Sequence, residues 1–215
     1  MKTFILILEL AGTVAFAVSG AMTGLKKKMD VFGVAILGLT AAVGGGVLRD
    51  VVLGVLPPKT FRDPKYAVIA VAVAFIVFMP AIHRLLLSRR LLYETVLVLV
   101  DALGLGIFTV IGIRTAFDVS AGFNAFLLIF VGVATGVGGG LLRDLLAGDM
   151  PFVFVRNIYA SASATGAAVC VVLWKYTGGV LSMMIGASVI ITLRLLSFHF
   201  KWHLPRAGGF DAPDQ

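Results

Sequence analysis

Hydrophobic residues come in runs of roughly 20 along the whole chain, each ended by a short cluster of charged or proline-bearing residues. That is the length a helix needs to cross about 30 Å of hydrocarbon. The pattern predicts seven membrane-spanning helices, over 3–25, 32–54, 66–84, 91–113, 122–147, 157–175 and 179–198. The connections carry Lys26, Lys27 and Lys28, then Pro57, Pro58, Lys59, Arg62 and Lys65, then Arg84, Arg89 and Arg90, and a polar tail covers 201–215. None is long enough to separate domains, so 1–215 reads as one all-α membrane domain.

A repeat is superimposed on this pattern. The segment Ala42-Val-Gly-Gly-Gly-Val-Leu-Arg-Asp50 returns as Thr135-Gly-Val-Gly-Gly-Gly-Leu-Leu-Arg-Asp144 at an offset of 94, and the match continues through Gly54 and Gly148, Pro57 and Pro151, and Arg62 and Arg156. Upstream the offset is 92, pairing Glu9 with Asp101, Gly12 with Gly104, Phe16 with Phe108 and Gly20 with Gly112. A fixed internal period means a repeated structural unit. Repeat 1 spans about 3–84 and repeat 2 about 91–175, with the helix over 179–198 outside both. Each repeat has an odd number of crossings, so the second starts from the opposite face of the membrane and the repeats are inverted. The Gly-xxx-Phe-xxx-Gly stripes on the first helix of each repeat suit close helix packing better than ligand binding.

Charge sets the orientation. Outside the triple-glycine motifs, one face collects six basic residues, Lys2, Lys59, Arg62, Lys65, Arg114 and Lys175; the other collects ten, Lys26 to Lys28, Arg84, Arg89, Arg90, Arg156, Arg194, Lys201 and Arg206. The richer face is read as cytoplasmic, which puts the N-terminus outside and the C-terminus inside a prokaryotic plasma membrane. Lys2 followed by an apolar stretch resembles a signal peptide, but Glu9 interrupts the stretch and the segment has a counterpart in repeat 2, so it is kept as the first helix.

Three consecutive glycines are a poor choice for a helix interior, at about 1 kcal/mol each relative to alanine. Here Gly44, Gly45 and Gly46 fall near the centre of one span and Gly138, Gly139 and Gly140 near the centre of another. They allow either a kink or short unwound stretch, which frees carbonyls to face a cavity, or contact points that let two crossing helices touch. Arg49 and Asp50 follow the first triplet, and Arg143 and Asp144 the second. Ionisable groups at such depth face a partner or a wet pathway, so these four mark candidate constrictions above and below a central site; the alternative is interfacial ion pairs with snorkelling arginines. Glu9 and Asp101 add acid at matching positions, Asp101 nearer the middle of its span.

Composition agrees: 60% of side chains are hydrophobic, 13% are charged, and mean hydropathy is +1.04, outside the range of soluble domains. The net charge of +7 lies in short clusters and not on one amphipathic face, which argues against nucleic acid. The single cysteine, Cys170, has no partner for a disulfide. His83, His199 and His203 lack metal-ligand spacing, the glycine runs lack the Lys-Ser/Thr of a phosphate-binding loop, and no serine or cysteine sits in a nucleophile motif, so neither cofactor nor enzyme is expected.

The paired Gly-Gly-Gly-x-Leu-Arg-Asp segments, in inverted three-helix repeats with a seventh helix, resemble the prokaryotic trimeric intracellular cation (TRIC) channels over about residues 1–198. Bacterial proteins with the same repeated domain are also labelled glycine transporters or uncharacterised inner-membrane proteins. The resemblance implies a homotrimer in membrane lipid, with one pore per subunit formed by the first, second, fourth and fifth helices and passing potassium or similar cations. It makes the two glycine triplets, Gly44 to Gly46 and Gly138 to Gly140, pore hinges of bent helices, with a transient monovalent cation near them. Animal members carry a lysine in the first glycine motif that helps hold a phosphoinositide; here Ala42 and Val43 precede Gly44, so that lipid role is not carried over. A passive cation channel is the expected function, gated where Arg49 and Arg143, paired to Asp50 and Asp144, narrow the path; a secondary transporter for glycine or another small zwitterion is the alternative, since inverted repeats with broken helices also suit alternating access.

Overall fold

The computed structural model describes residues 2–120, 124–155 and 158–202, and those residues form helices with no strand among them. The helices are α1 (Lys2–Lys26), α2 (Val31–Val52), α3 (Lys59–Arg62), α4 (Lys65–Phe78), α5 (Pro80–Ser88), α6 (Arg90–Val119), α7 (Ala125–Leu146), α8 (Phe152–Val155), α9 (Ala160–Thr177) and α10 (Gly179–His199). Five of them, α1, α2, α6, α7 and α10, are each long and apolar enough to cross a membrane, and α4 with α5 makes a sixth if counted as one bent span. The chain is an all-helical integral membrane protein. The expected basic residues Arg156 and Arg206, His203, and most of the polar tail lie outside the described residues.

The expected single span over 66–84 is broken. α4 and α5 meet at 74° across Met79. Pro80 cannot donate the helical hydrogen bond and its ring crowds the preceding turn, while Met79 before it is driven to ψ 136°. The fourth expected span, 91–113, continues to Val119, where an Arg114–Asp118 ion pair of 3.0 Å, one helical turn apart, supports the added turn. The short helices α3 and α8 were not expected.

α2 and α7 are built alike. Asp30 caps α2 by accepting from the Gly33 N–H at 2.7 Å, and Asn124 caps α7 by accepting from Leu127 at 3.2 Å. Each ends on a glycine with positive φ, Gly54 at 70° and Gly148 at 67°, which turns the next N–H back onto the last turn: Val55 to the Asp50 carbonyl at 2.8 Å, Asp149 to the Asp144 carbonyl at 2.9 Å. Their C-terminal ends lie at opposite ends of α1. Lys59, beyond α2, reaches Glu9 near the start of α1, whereas Lys27, just past its end, pairs with Asp149 beyond α7.

Glycine sets the packing distance. Phe16 of α1 and Phe108 of α6 stack at 5.5 Å, and each ring covers the other helix's stripe glycine: a Cβ at Gly104 would meet Phe16 at 2.6 Å, and one at Gly12 would meet Phe108 at 3.1 Å. The stripes are therefore packing surfaces. At the centre, α2 crosses α7 with backbone on backbone. A Cβ on Gly45 would fall onto the Thr135 carbonyl oxygen, and one on Gly139 onto that of Ala41. Beside them Leu142 covers Gly44 and Leu48 covers Gly138, so the contact is reciprocal.

Both helices stay continuously helical through the triplets; in this state the glycines serve the crossing, and no unwound stretch interrupts either helix. Gly46 differs from its neighbours, since a Cβ there would meet only an Arg49 nitrogen at 3.9 Å. Gly45→Ala is accordingly expected to lower stability by about 1–3 kcal/mol, as overpacking does. Gly46→Ala should be tolerated. Paired thermal-unfolding curves in detergent check both, and equal midpoints would contradict the crossing geometry.

Candidate functional site

The charged residues picked out by the sequence form two clusters, one at the C-terminal end of α2 and one at the C-terminal end of α7. In both, the helix lays an arginine back along the following aspartate. Arg49 Nε donates to Asp50 Oδ1 at 2.8 Å, and Arg143 Nε donates to Asp144 Oδ1 at 2.8 Å. The second oxygen of each aspartate accepts a backbone N–H from the segment beyond the helix: Lys59 to Asp50 at 2.7 Å, Phe152 to Asp144 at 2.8 Å. At the repeat offset, Phe152 matches Pro58. Proline has no N–H, so the next residue, Lys59, donates instead. The aspartates thus pin the short helices α3 and α8 to the ends of α2 and α7.

Around this shared frame the clusters differ. In the first, Glu9 of α1 accepts from the Tyr66 hydroxyl of α4 and pairs with Lys59 Nζ at 3.1 Å. Arg49 does not close onto Glu9. The two line an open pocket with Thr13, Gly46, Lys59 and Tyr66, backed by Phe108 and Ile111. The Lys59 side chain is half exposed, at 53%. Water therefore reaches the acid at this end.

The second cluster is closed. Asp101 of α6 is fully buried, and Arg143, also fully buried, donates from Nη1 to its Oδ1 at 2.8 Å and to the Ser19 hydroxyl of α1. The Arg143 guanidinium lies over the Phe152 ring at 4.9 Å. A second arginine, Arg194 of α10, brings Nη2 to 3.6 Å from Asp101 Oδ2 and lies over the Tyr159 ring at 4.6 Å. Two arginines and two aspartates sum to zero charge. Removing charges from water is repaid only by close pairing, and the pairing here is incomplete. Asp101 Oδ2, the Tyr159 hydroxyl, and Arg194 Nε and Nη2 are buried without a hydrogen-bond partner among the described residues.

All six expected charges, Glu9, Asp101, Arg49, Asp50, Arg143 and Asp144, therefore sit in the two clusters, with Gly46 beside the first and Gly140 beside the second, where a Cβ would meet the Tyr159 hydroxyl at 2.7 Å. Gly44, Gly45, Gly138 and Gly139 lie between the clusters, at the crossing. Lys59, Ser19, Tyr66, Tyr159 and Arg194 were not expected in the clusters. Tyr66 and Tyr159 match at an offset of 93, between the two offsets that define the repeat, and that match was the available signal. Arg194 was counted among the charges flanking the cytoplasmic face; it is instead 3% exposed and turned onto Asp101. α10 packs closely within the subunit: a Cβ at Gly186 would strike Cys170 of α9 at 2.7 Å, and Ser182 Oγ donates to the Gly178 carbonyl at 2.8 Å.

Comparison with known proteins places this arrangement. Residues 6–81 and 98–175 match the family model described as Glycine transporter. The chain belongs to that family. The two matched stretches carry all six expected charges, and Arg194 lies beyond them. The UPF0126 inner membrane protein YadS of Escherichia coli (strain K12) is 36% identical over 92% of both chains. Two solved structures agree in fold across almost their whole length. A protein solved in work on conductance through TRIC cation channels is 32% identical, with a TM-score of 0.81, covering 96% of this chain and 98% of that one. The TRIC trimeric intracellular cation channel orthologue from Rhodobacter sphaeroides is 33% identical, with a TM-score of 0.85, covering 93% and 100%. The glycine-transporter family and the prokaryotic TRIC channels thus meet in this chain.

Proposed function

We propose that the protein is a passive channel for monovalent cations, potassium among them, with the conduction path inside each subunit between α1, α2, α6 and α7. The observation that carries this reading is the pair of acid-bearing clusters at opposite ends of the α2–α7 crossing, in a fold shared end to end with TRIC cation channels. Glu9 at one end and Asp101 at the other attract a cation, and Arg49 and Arg143 limit its passage. The path is wet at the Glu9 end and shut where Arg143 holds Asp101. Opening separates Arg143 from Asp101 until the second cluster resembles the first, with the glycine triplets as the flexible points of α2 and α7. No catalytic step is assigned.

The finer architecture belongs to the same proposal. The reciprocal contact at Gly45 and Gly139, and the opposed ends of α2 and α7, support two inverted three-helix repeats with α10 as a seventh crossing. The charge count supports an outside N-terminus and a cytoplasmic C-terminus. Assembly as a homotrimer is carried over from the TRIC orthologue, which is described as trimeric.

A second reading, transport of glycine, is favoured by the description of the family model. Recording from purified protein in planar bilayers under a potassium gradient separates the two. Unitary currents reversing near the potassium potential are the expected result, unaffected by added glycine. Silent bilayers together with saturable glycine uptake into matched vesicles would replace the channel by the transporter.

A further inference from the structure

The two clusters share an arginine, an aspartate, an acid on a long helix and a tyrosine, yet only one has collapsed. The difference lies in the second cation on the acid. At Glu9 it is Lys59, on a short surface helix, with half of its side chain in water. Such a partner is held by a screened, low-value ion pair and exchanges readily with water. At Asp101 it is Arg194, buried, planar, stacked on Tyr159 and rooted in α10, a helix with no counterpart in the first half of the chain.

α10 is fixed against α6 close to this point. A Cβ at Gly106 would meet the Ala187 carbonyl oxygen at 3.1 Å and Ile191 at 3.0 Å, so the two backbones touch between Asp101 and the α10 stretch leading to Arg194. Arg194 therefore cannot follow the solvent as Lys59 does. It lies by Asp101 Oδ2 while Arg143 holds Oδ1, and the two together complete the neutral set of two cations and two anions.

We infer that Arg194 is the latch of the closed end: a positioning residue on α10 that keeps Asp101 paired with Arg143 and water out of the second cluster. This rests on the channel reading only for its effect on current. Without Arg194 the cluster holds two aspartates against one arginine. A net negative charge buried in the membrane draws in water and cations, and this shifts the population toward the open arrangement seen around Glu9. The guanidinium plane matters as well as the charge, because lysine neither stacks on Tyr159 nor spans the same distance to Asp101.

The test reads water access directly. In a Cys170→Ala background, Ser19→Cys places a thiol beside Arg143, and the protein in lipid nanodiscs is treated with a cationic methanethiosulfonate reagent. Relative to that parent, Arg194→Gln should raise the modification rate about tenfold and Arg194→Lys about threefold, as a population shift of that size requires. In bilayers, open probability should rise in the same order with unitary conductance unchanged. Thiol rates in both variants equal to the parent would overturn the latch, since a merely structural arginine would alter melting temperature without this ordering. If Arg194→Gln does not fold, Arg194→Lys alone decides, by being faster than the parent or not. Ordered thiol rates without potassium current would leave the latch standing and remove the channel reading; currents with unmoved thiol rates would do the reverse.

Discussion

Asp101→Asn is expected to lower stability by about 3–5 kcal/mol, the usual result of removing one partner from a buried ion pair. Arg143 would keep Asp144, but its Nη1 would face a neutral amide, and Arg194 would lose the carboxylate it turns towards. In the proposed channel, the closed cluster would then hold two positive charges against one negative. Unitary potassium conductance should fall about tenfold or more, because a net positive charge in a poorly hydrated constriction repels the permeating ion. Thermal unfolding in detergent and single-channel recording read the two effects separately. An unchanged melting temperature would mean that Asp101 is not buried among these arginines.

The second large effect is a contrast between equivalent arginines. Arg143→Gln leaves Asp101 and Asp144 with Arg194 alone, in a cluster with no exposed member among its four charges. The expected loss is again about 3–5 kcal/mol, now with a channel that fails to close. Arg49→Gln leaves Asp50 still bonded to the Lys59 N–H and Glu9 still paired with Lys59 and Tyr66, beside a pocket that admits water. Arg49 and Asp50 are themselves buried, so the cost should be about 1–3 kcal/mol, smaller than at Arg143 because Asp50 keeps the Lys59 N–H. Unfolding midpoints and open probability of the two variants, measured side by side, decide it. Equal effects would show that the two ends have the same environment and would remove the distinction between an open and a closed one.

What the sequence made readable follows from which forces act locally. Helix positions follow from hydrophobic run length, and the cluster charges follow from their depth in those runs and their recurrence. Pro80 announced a break, yet the apolar run continues on both sides of it, so run length overrode the proline. The glycine triplets were readable as special positions, but their two possible roles could be separated only by knowing what lies opposite Gly45 and Gly139. Arg194 was hidden by its place near the end of α10, where an arginine ordinarily reaches for water. Its inward turn depends on Asp101, 93 positions earlier, and no local pattern encodes such a partner. Tyr159 was hidden for the same reason, since an aromatic residue near a helix end reads as an interfacial anchor.

The crossing at Gly45 and Gly139 also restricts how the sequence can drift. Each glycine abuts main-chain oxygen of the other helix, Thr135 facing Gly45 and Ala41 facing Gly139. Bulk added at either position overlaps backbone, which trimming a side chain does not relieve. Compensating second-site mutations, which let ordinary core pairs trade volume across generations, are therefore closed to these two residues. Lineages of the chain should lose such variants outright, while Leu48 and Leu142, whose side chains cover Gly138 and Gly44, remain free to exchange among shapes that fit.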